Sequence, residues 1–337
     1  MNKVAISIAF GLLFLASGFA GCTGIESVDK AIESIGKSVG IIKDNSVETG
    51  DGFFIGCDNA SIYYQSWTVE NPVAVMFLVH GYGEHSGRYD YVARHFCAEN
   101  ISCYALDHRG HGRSTGLRCN VEDYNYWIED LETFVKLVKG IEGPDKKYFM
   151  LGHSMGGGIT VVYSEMYASE IDAFIYSAPA LGVGGAPMAA FQAAAALAPV
   201  IQAASPAASD YATPYQLCQP SDLNHDPENT KAYAEDPLVY HGGLKVQMAA
   251  QFGRMFSYGC NNVGNVSKPC LFIQGSADVL VNPNATEEFY NNVSISDKKF
   301  ILYDGFYHET LNEPVWFGNG GKDRVLADID AWLLPRI

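Results

Sequence analysis

Between an apolar run at Tyr148–Leu151 and a helical pattern from Met155 to Tyr167 stands Gly152-His153-Ser154-Met155-Gly156, which restricts this chain more than any other feature. The run before it has the length of a buried strand. After it, Ile159, Val162 and Tyr163 or Met166 recur at helical spacing. A serine at so sharp a strand-to-helix turn sits in strained backbone with its hydroxyl pushed into the open. Glycines flank it because side chains there would strike the strand and the helix. The helix N-terminus behind it offers partial positive charge and free N–H groups where an oxyanion would form. Turns of this shape also serve plain packing, so the motif needs partners.

Where such a turn carries a nucleophile, the partners follow in the order Ser, Asp or Glu, His. Leu271–Gln274 predicts a further buried strand, followed by Gly275-Ser276-Ala277-Asp278. Phe300–Tyr303 predicts the next, followed by Asp304-Gly305-Phe306-Tyr307-His308. Asp278 and His308 thus fall just past the C-terminal ends of strands, where open parallel sheets collect functional groups. The thirty residues between them leave room for one crossover, with a helix around Ala285–Asn291. In these roles His308 takes the proton of Ser154 and later returns it to the leaving alcohol, while Asp278 fixes the tautomer and stabilises the imidazolium. Taken singly, Asp278 reads as a turn residue, with Asn282 and Asp304 as rivals, and His308 as a surface group. In this order after these strands they point to acyl transfer. His80, His85, His108, His111 and His153 lie near the same rim, but none follows Asp278. An apolar strand at Val73–Val79 runs into His80-Gly81-Tyr82-Gly83-Glu84-His85. An oxyanion hole takes one main-chain N–H from Met155 and one from this loop, with Tyr82 the expected donor. The same glycines also make a tight turn.

Six blocks in fixed order carry a closer resemblance: His80 to Tyr89, Leu106 to Ser114, Gly152 to Gly157, Ser177-Ala178-Pro179, Asp236-Pro237-Leu238 and Tyr307 to Glu313. Together they resemble the monoacylglycerol lipase branch of the α/β-hydrolases, from roughly Phe53 to the C-terminus. The resemblance implies a serine hydrolase of monoacylglycerols or lysophospholipid-like esters that needs no cofactor. It also implies Ser154, Asp278 and His308 as the triad and the Tyr82 and Met155 amides as the oxyanion hole, the residues already reached above. Asp107, Arg109, His111 and Gly112 follow a strand at Ser102–Leu106 and read as charge pairing that braces the rim rather than as catalytic groups.

The expected fold is α/β: a mostly parallel, doubly wound sheet with a helical lid insertion. Strands are expected at Ser61–Trp67, Val73–Val79, Ser102–Leu106 and Phe174–Ser177, with helices at Asp123–Lys139 and Lys322–Leu333. The domain runs over 53–337, with the insertion at about 180–265. Within it, Ala186–Ala208 carries no charge and is rich in Ala, with Met188, Phe191, Leu197, Val200 and Ile201. Its length suits a membrane span, but Pro187, Pro199 and Pro206 argue against one. It reads instead as short lid helices over an acyl-chain tunnel that touch a membrane surface, or as an ordinary Ala-rich packing segment. Asn229–Tyr240 and Leu244–Phe256 predict two further helices.

The N-terminus reads as a secretory signal over 1–21: Lys3, an uncharged run from Val4 to Gly21, and small residues before Cys22. Cys22 after Ala20-Gly21 resembles a bacterial lipoprotein site, with an uncleaved anchor as the alternative; 22–52 reads as a tether. Without Cys22, seven of the eight cysteines remain, an odd number. Cys97–Cys103 and Cys218–Cys260 are possible pairs, and Cys103 and Cys270 suit buried free thiols. Asn59, Asn100, Asn265, Asn284 and Asn292 open N-x-Ser/Thr triplets, which favours the rival reading of a glycosylated eukaryotic secretory protein. A formal net charge of -16 argues against nucleic acid as a partner and against tight binding to anionic lipid. No metal-ligand cluster and no phosphate loop is present in the pattern. The expected activity is therefore a membrane-tethered lipid esterase. A lysophospholipase, a general carboxylesterase or acyltransferase, and a non-catalytic hydrolase-fold module are the alternatives.

Overall fold

Strand β3 (Ala74–Val79) is buried on both faces, and its alternating side chains divide the core into two layers. Val75, Phe77 and Val79 pack on one side with Trp127, Leu131 and Phe134. Ala74, Met76 and Leu78 pack on the other with Phe96, Val325 and Ile329. This is a computed structural model, and it describes residues 47–182, 193–194, 196–197, 210, 212–213 and 216–337. The expected signal sequence, Cys22, nearly all of the tether and most of Ala186–Ala208 lie outside the described residues.

An eight-stranded sheet forms the centre. Its strands are β1 (Glu48–Ile55), β2 (Ser61–Thr68), β3, β4 (Ile101–Leu106), β5 (Lys147–His153), β6 (Ala173–Ser177), β7 (Cys270–Gly275) and β8 (Lys298–Tyr303). Their order is β1-β2-β4-β3-β5-β6-β7-β8. The first two pairings are antiparallel and the rest parallel, with Val79 opposite both Leu106 and Gly152. Helices α1 (Asp90–Ala98) and α7 (Gly321–Leu333) cover one face. On the other lie α2 (Asn125–Glu142), α3 (Met155–Met166), α5 (Val246–Asn261) and α6 (Pro283–Asn292). Each Val, Leu, Ile, Phe or Met side chain fully buried in these layers stabilises the fold by about 1.5–3 kcal/mol.

Several boundaries differ from the sequence reading, three of them for a local reason. Residues 48–52, expected in the tether, belong to β1: Phe54 stacks on Phe134 at 5.5 Å while Phe53 faces outward. Helix α2 starts two residues late because Asp123 stays outside it, its Oδ1 accepting the Asn125 N–H at 2.9 Å. In the insertion, α4 (Pro227–Glu235) stops before Asp236 and does not reach Tyr240. Pro237 has no N–H to continue the ladder, and it biases Asp236 toward the extended backbone seen there. None of the seven described cysteines is in a disulfide, so neither Cys97–Cys103 nor Cys218–Cys260 is paired.

Candidate active site

Ser154 sits where β5 turns into α3, with φ 55° and ψ −120°. That is strained backbone for a residue with a Cβ. It is held from both sides: its N–H donates to the Ser177 carbonyl, and its carbonyl accepts from Gly158 and Ala180. The flanking glycines are steric necessities. A Cβ on Gly156 would lie 2.2 Å from the Val79 carbonyl oxygen, and one on Gly152 would lie 2.2 Å from Thr160 Oγ1.

His308 and Asp278 arrive from the loops after β8 and β7. His308 Nδ1 lies 2.8 Å from Asp278 Oδ2. The other carboxylate oxygen accepts the Leu280 and Val281 N–H groups, and Gln274 Nε2 adds a bond to Oδ2. Burial pushes Asp278 up, but His308 and the loop N–H groups outweigh it, and the carboxyl ends below its ordinary range. For His308 burial pulls the other way and is outweighed by Asp278, with Glu309 and Glu84 adding to the rise. Nδ1 is therefore the donor to Asp278, which leaves Nε2 as the free base. His153 packs on His308 with ring centroids 4.7 Å apart. Burial and the neighbouring His308 hold His153 down to about 4, so it is neutral.

The loop after β3 presses against Ser154, since a Cβ on Gly81 would lie 3.1 Å from the serine Cβ. Among the described residues, the Tyr82 and Met155 main-chain N–H groups have no main-chain acceptor. Among the described residues, Ser154 and His308 together line two adjoining pockets. One is walled by Met155, Leu217, Phe252, Phe256, Leu280 and Val281. The other is walled by Glu84, Arg88, His153, Leu223, Tyr233 and Glu309. Among the described residues no group of three His, Cys, Asp or Glu is arranged to hold a metal ion.

A serine on a strained strand-to-helix turn, with an Asp-held histidine beside it, sits in a sheet of hydrolase topology. Residues 70–315 match the family described as serine aminopeptidase, S33 (Hydrolase_4). The chain belongs to this family of α/β-hydrolases. It is 33% identical over 289 residues to a monoacylglycerol lipase of Mycolicibacterium smegmatis, covering 84% of this chain and 96% of the relative. To the monoglyceride lipase of Homo sapiens it is 28% identical over 283 residues, covering 84% and 89%. Among solved structures, a soluble variant of monoglyceride lipase from Saccharomyces cerevisiae with a substrate analog superposes with a TM-score of 0.71. It is 23% identical, covering 88% of this chain and 97% of that one, a likeness of fold.

The rim of this S33-family hydrolase holds groups that the sequence reading left without a role. Arg88 lies between two carboxylates, Glu84 at 2.5 Å and Glu309 at 2.6 Å, and so ties the loop after β3 to the loop that carries His308. Glu84 also accepts the Gly81 N–H at 2.6 Å, which fixes the turn next to Tyr82. The insertion is stitched to the same loops through Asn224–Glu309, His225–Glu313 and His85–Asp236. The expected bracing after β4 takes a different form. Arg109 pairs with Asp130 on α2, while Asp107 accepts main-chain N–H groups from Ser86 and Arg113. Among the described residues, the His111 ring bonds only to the Arg109 carbonyl, through Nδ1.

Proposed function

We propose that this serine hydrolase cleaves monoacylglycerols, with Ser154 as nucleophile, His308 as general base and acid, and Asp278 as the group that orients the histidine. His308 Nε2 takes the Ser154 proton as Oγ attacks the ester carbonyl. The Tyr82 and Met155 N–H groups receive the developing oxyanion, where fixed donors act most strongly. Collapse expels glycerol, which takes the proton from His308, and the acyl group stays on Ser154. Water, activated by the same histidine, then releases the fatty acid and restores the serine.

The observation that carries this reading is the two-sided cleft: Ser154 and His308 border an apolar side of Phe252, Phe256 and Leu280 and an adjoining side where Glu84, Arg88 and Glu309 bring charge, the two sides sharing Tyr82 and Cys218. An ester of a fatty acid with a polyol has that same division at its scissile bond. The lipase names of the relatives support the same substrate class. Purified protein should hydrolyse 1-oleoylglycerol, and Ser154→Ala should remove that activity and fluorophosphonate labelling together while circular dichroism stays unchanged. Retained hydrolysis in this variant would refute the assignment.

The same proposal extends to location. The leader over 1–21 and Cys22 support export and lipid attachment at Cys22, holding the enzyme at a bilayer where its substrates collect. Expressed in a bacterium with lipoprotein processing, Cys22→Ser should move the protein from the membrane fraction to the soluble one. Unchanged membrane retention would remove the acylation site.

A further inference from the structure

We propose that Glu309, acting with Glu84, makes the polar chamber select uncharged alcohols and reject esters whose alcohol carries a phosphate. The inference rests on the acylglycerol reading of this site and narrows it, because lysophospholipid-like esters were an open alternative.

The only guanidinium lining the chamber among the described residues is Arg88, and its terminal nitrogens are already engaged by protein acceptors. Its Nη1 donates to Glu84 Oε2 and Glu309 Oε1, and its Nη2 donates to Glu309 Oε2 at 3.0 Å and to Asn229 Oδ1 at 3.5 Å. The Tyr233 ring covers its face at 4.7 Å. Recognition of a phosphate by arginine needs an open fork of donors, and here all four terminal N–H groups are taken.

Both carboxylates stay charged. Glu309 also accepts from Asn224 and Asn312, and Glu84 from the Gly81 N–H and the Tyr89 hydroxyl. Burial opposes ionisation of Glu309, but Arg88 outweighs it and holds the carboxyl down to about 2. His153, neutral at ordinary pH, adds no compensating charge. Two carboxylates against one guanidinium leave the chamber with an excess negative charge. The insertion brings no counter-cation over 183–209, since that stretch contains no Asp, Glu, Lys, Arg or His. A glycerol hydroxyl, by contrast, donates readily to a carboxylate lone pair.

A phosphate about 6 Å from this excess charge, at an effective dielectric of about 20, meets repulsion equivalent to about a hundredfold loss in kcat/KM. The test compares 1-oleoylglycerol, its 3-phosphate, and the uncharged dimethyl ester of that phosphate, all in the same neutral-detergent micelles. The wild type should favour 1-oleoylglycerol over the phosphate by at least about thirtyfold. It should cleave the dimethyl ester within about fivefold of the glycerol ester, as expected when charge rather than bulk excludes the phosphate. Glu309→Gln should narrow the first ratio at least about fivefold, whatever its effect on absolute rates. Equal rates on glycerol ester and phosphate overturn the proposal. So does a dimethyl ester rejected as strongly as the charged one, which would make the exclusion steric. That comparison needs no variant and decides the matter even where Glu309→Gln fails to fold. If neither oleoyl ester is cleaved while p-nitrophenyl butyrate is hydrolysed through Ser154, the acylglycerol reading falls and takes this proposal with it.

Discussion

Glu165 should make the nucleophile helix a source of alkaline instability. It lies on α3, eleven residues after Ser154, with 9% of its surface exposed and both carboxyl oxygens buried without a hydrogen-bond partner. Tyr124, Tyr176 and Cys260 lie within its field, yet none donates to it. Burial alone pushes its carboxyl up to about 8 from the ordinary 4.5. Because the folded value is raised, the unfolded chain loses this proton first. Stability falls as pH rises from about 4.5 to about 8 and levels off above that range. The whole difference converts to about 5 kcal/mol as an upper bound, and relaxation of neighbouring side chains toward the charge brings the expected effect to about 2–4 kcal/mol. Glu165→Gln keeps the shape and removes the ionisation. Urea unfolding at pH 5, 7 and 9 should find the two proteins nearly equal at pH 5 and the variant ahead by about 2–4 kcal/mol at pH 9, with the same m-value. A gap that does not change with pH would refute the reasoning.

The histidine and the acyl chamber yield two further tests. In the base role we propose for it, His308 must be unprotonated, and its raised pKa places the acid limb of kcat/KM above the ordinary value of 6.5. Asp278→Asn should lower kcat by about 10³–10⁴ and shift that limb to lower pH, as the carboxylate no longer holds the imidazolium. An unmoved limb would count against the pair. Phe252→Ala opens the wall of the apolar chamber and should cost long-chain esters about tenfold in kcat/KM while leaving butyrate esters within about twofold. Equal losses on both would remove the acyl assignment.

Much of this site is legible before any coordinates because its parts are local. Ser154 announces itself through glycines two residues away on either side, and Asp278 and His308 each follow a short apolar strand at a predictable offset. The Glu84–Arg88–Glu309 clamp gives no such notice. Arg88 and Glu309 are 221 residues apart, and each reads alone as an ordinary charged residue. They meet only because β3 and β8, which lead into their loops, end on the same side of the sheet. Strand β1 was hidden for another reason. Glu48-Thr49-Gly50-Asp51-Gly52 has weak strand propensity, and its structure comes from pairing with β2 and from Phe54 packing on Phe134. Cues for the end of α4 were present, since Asp236-Pro237 is a stop signal, but the pattern of apolar residues ran on past it.

The backbone at position 154 sets thermal robustness and reactivity against each other. Glycine tolerates such a torsion freely, so exchanging the serine for it relieves tension at the elbow and removes the hydroxyl we propose as the nucleophile. Directed evolution of this enzyme toward heat resistance, run without a turnover screen, would converge on durable but inert proteins, with residue 154 among the first to be lost.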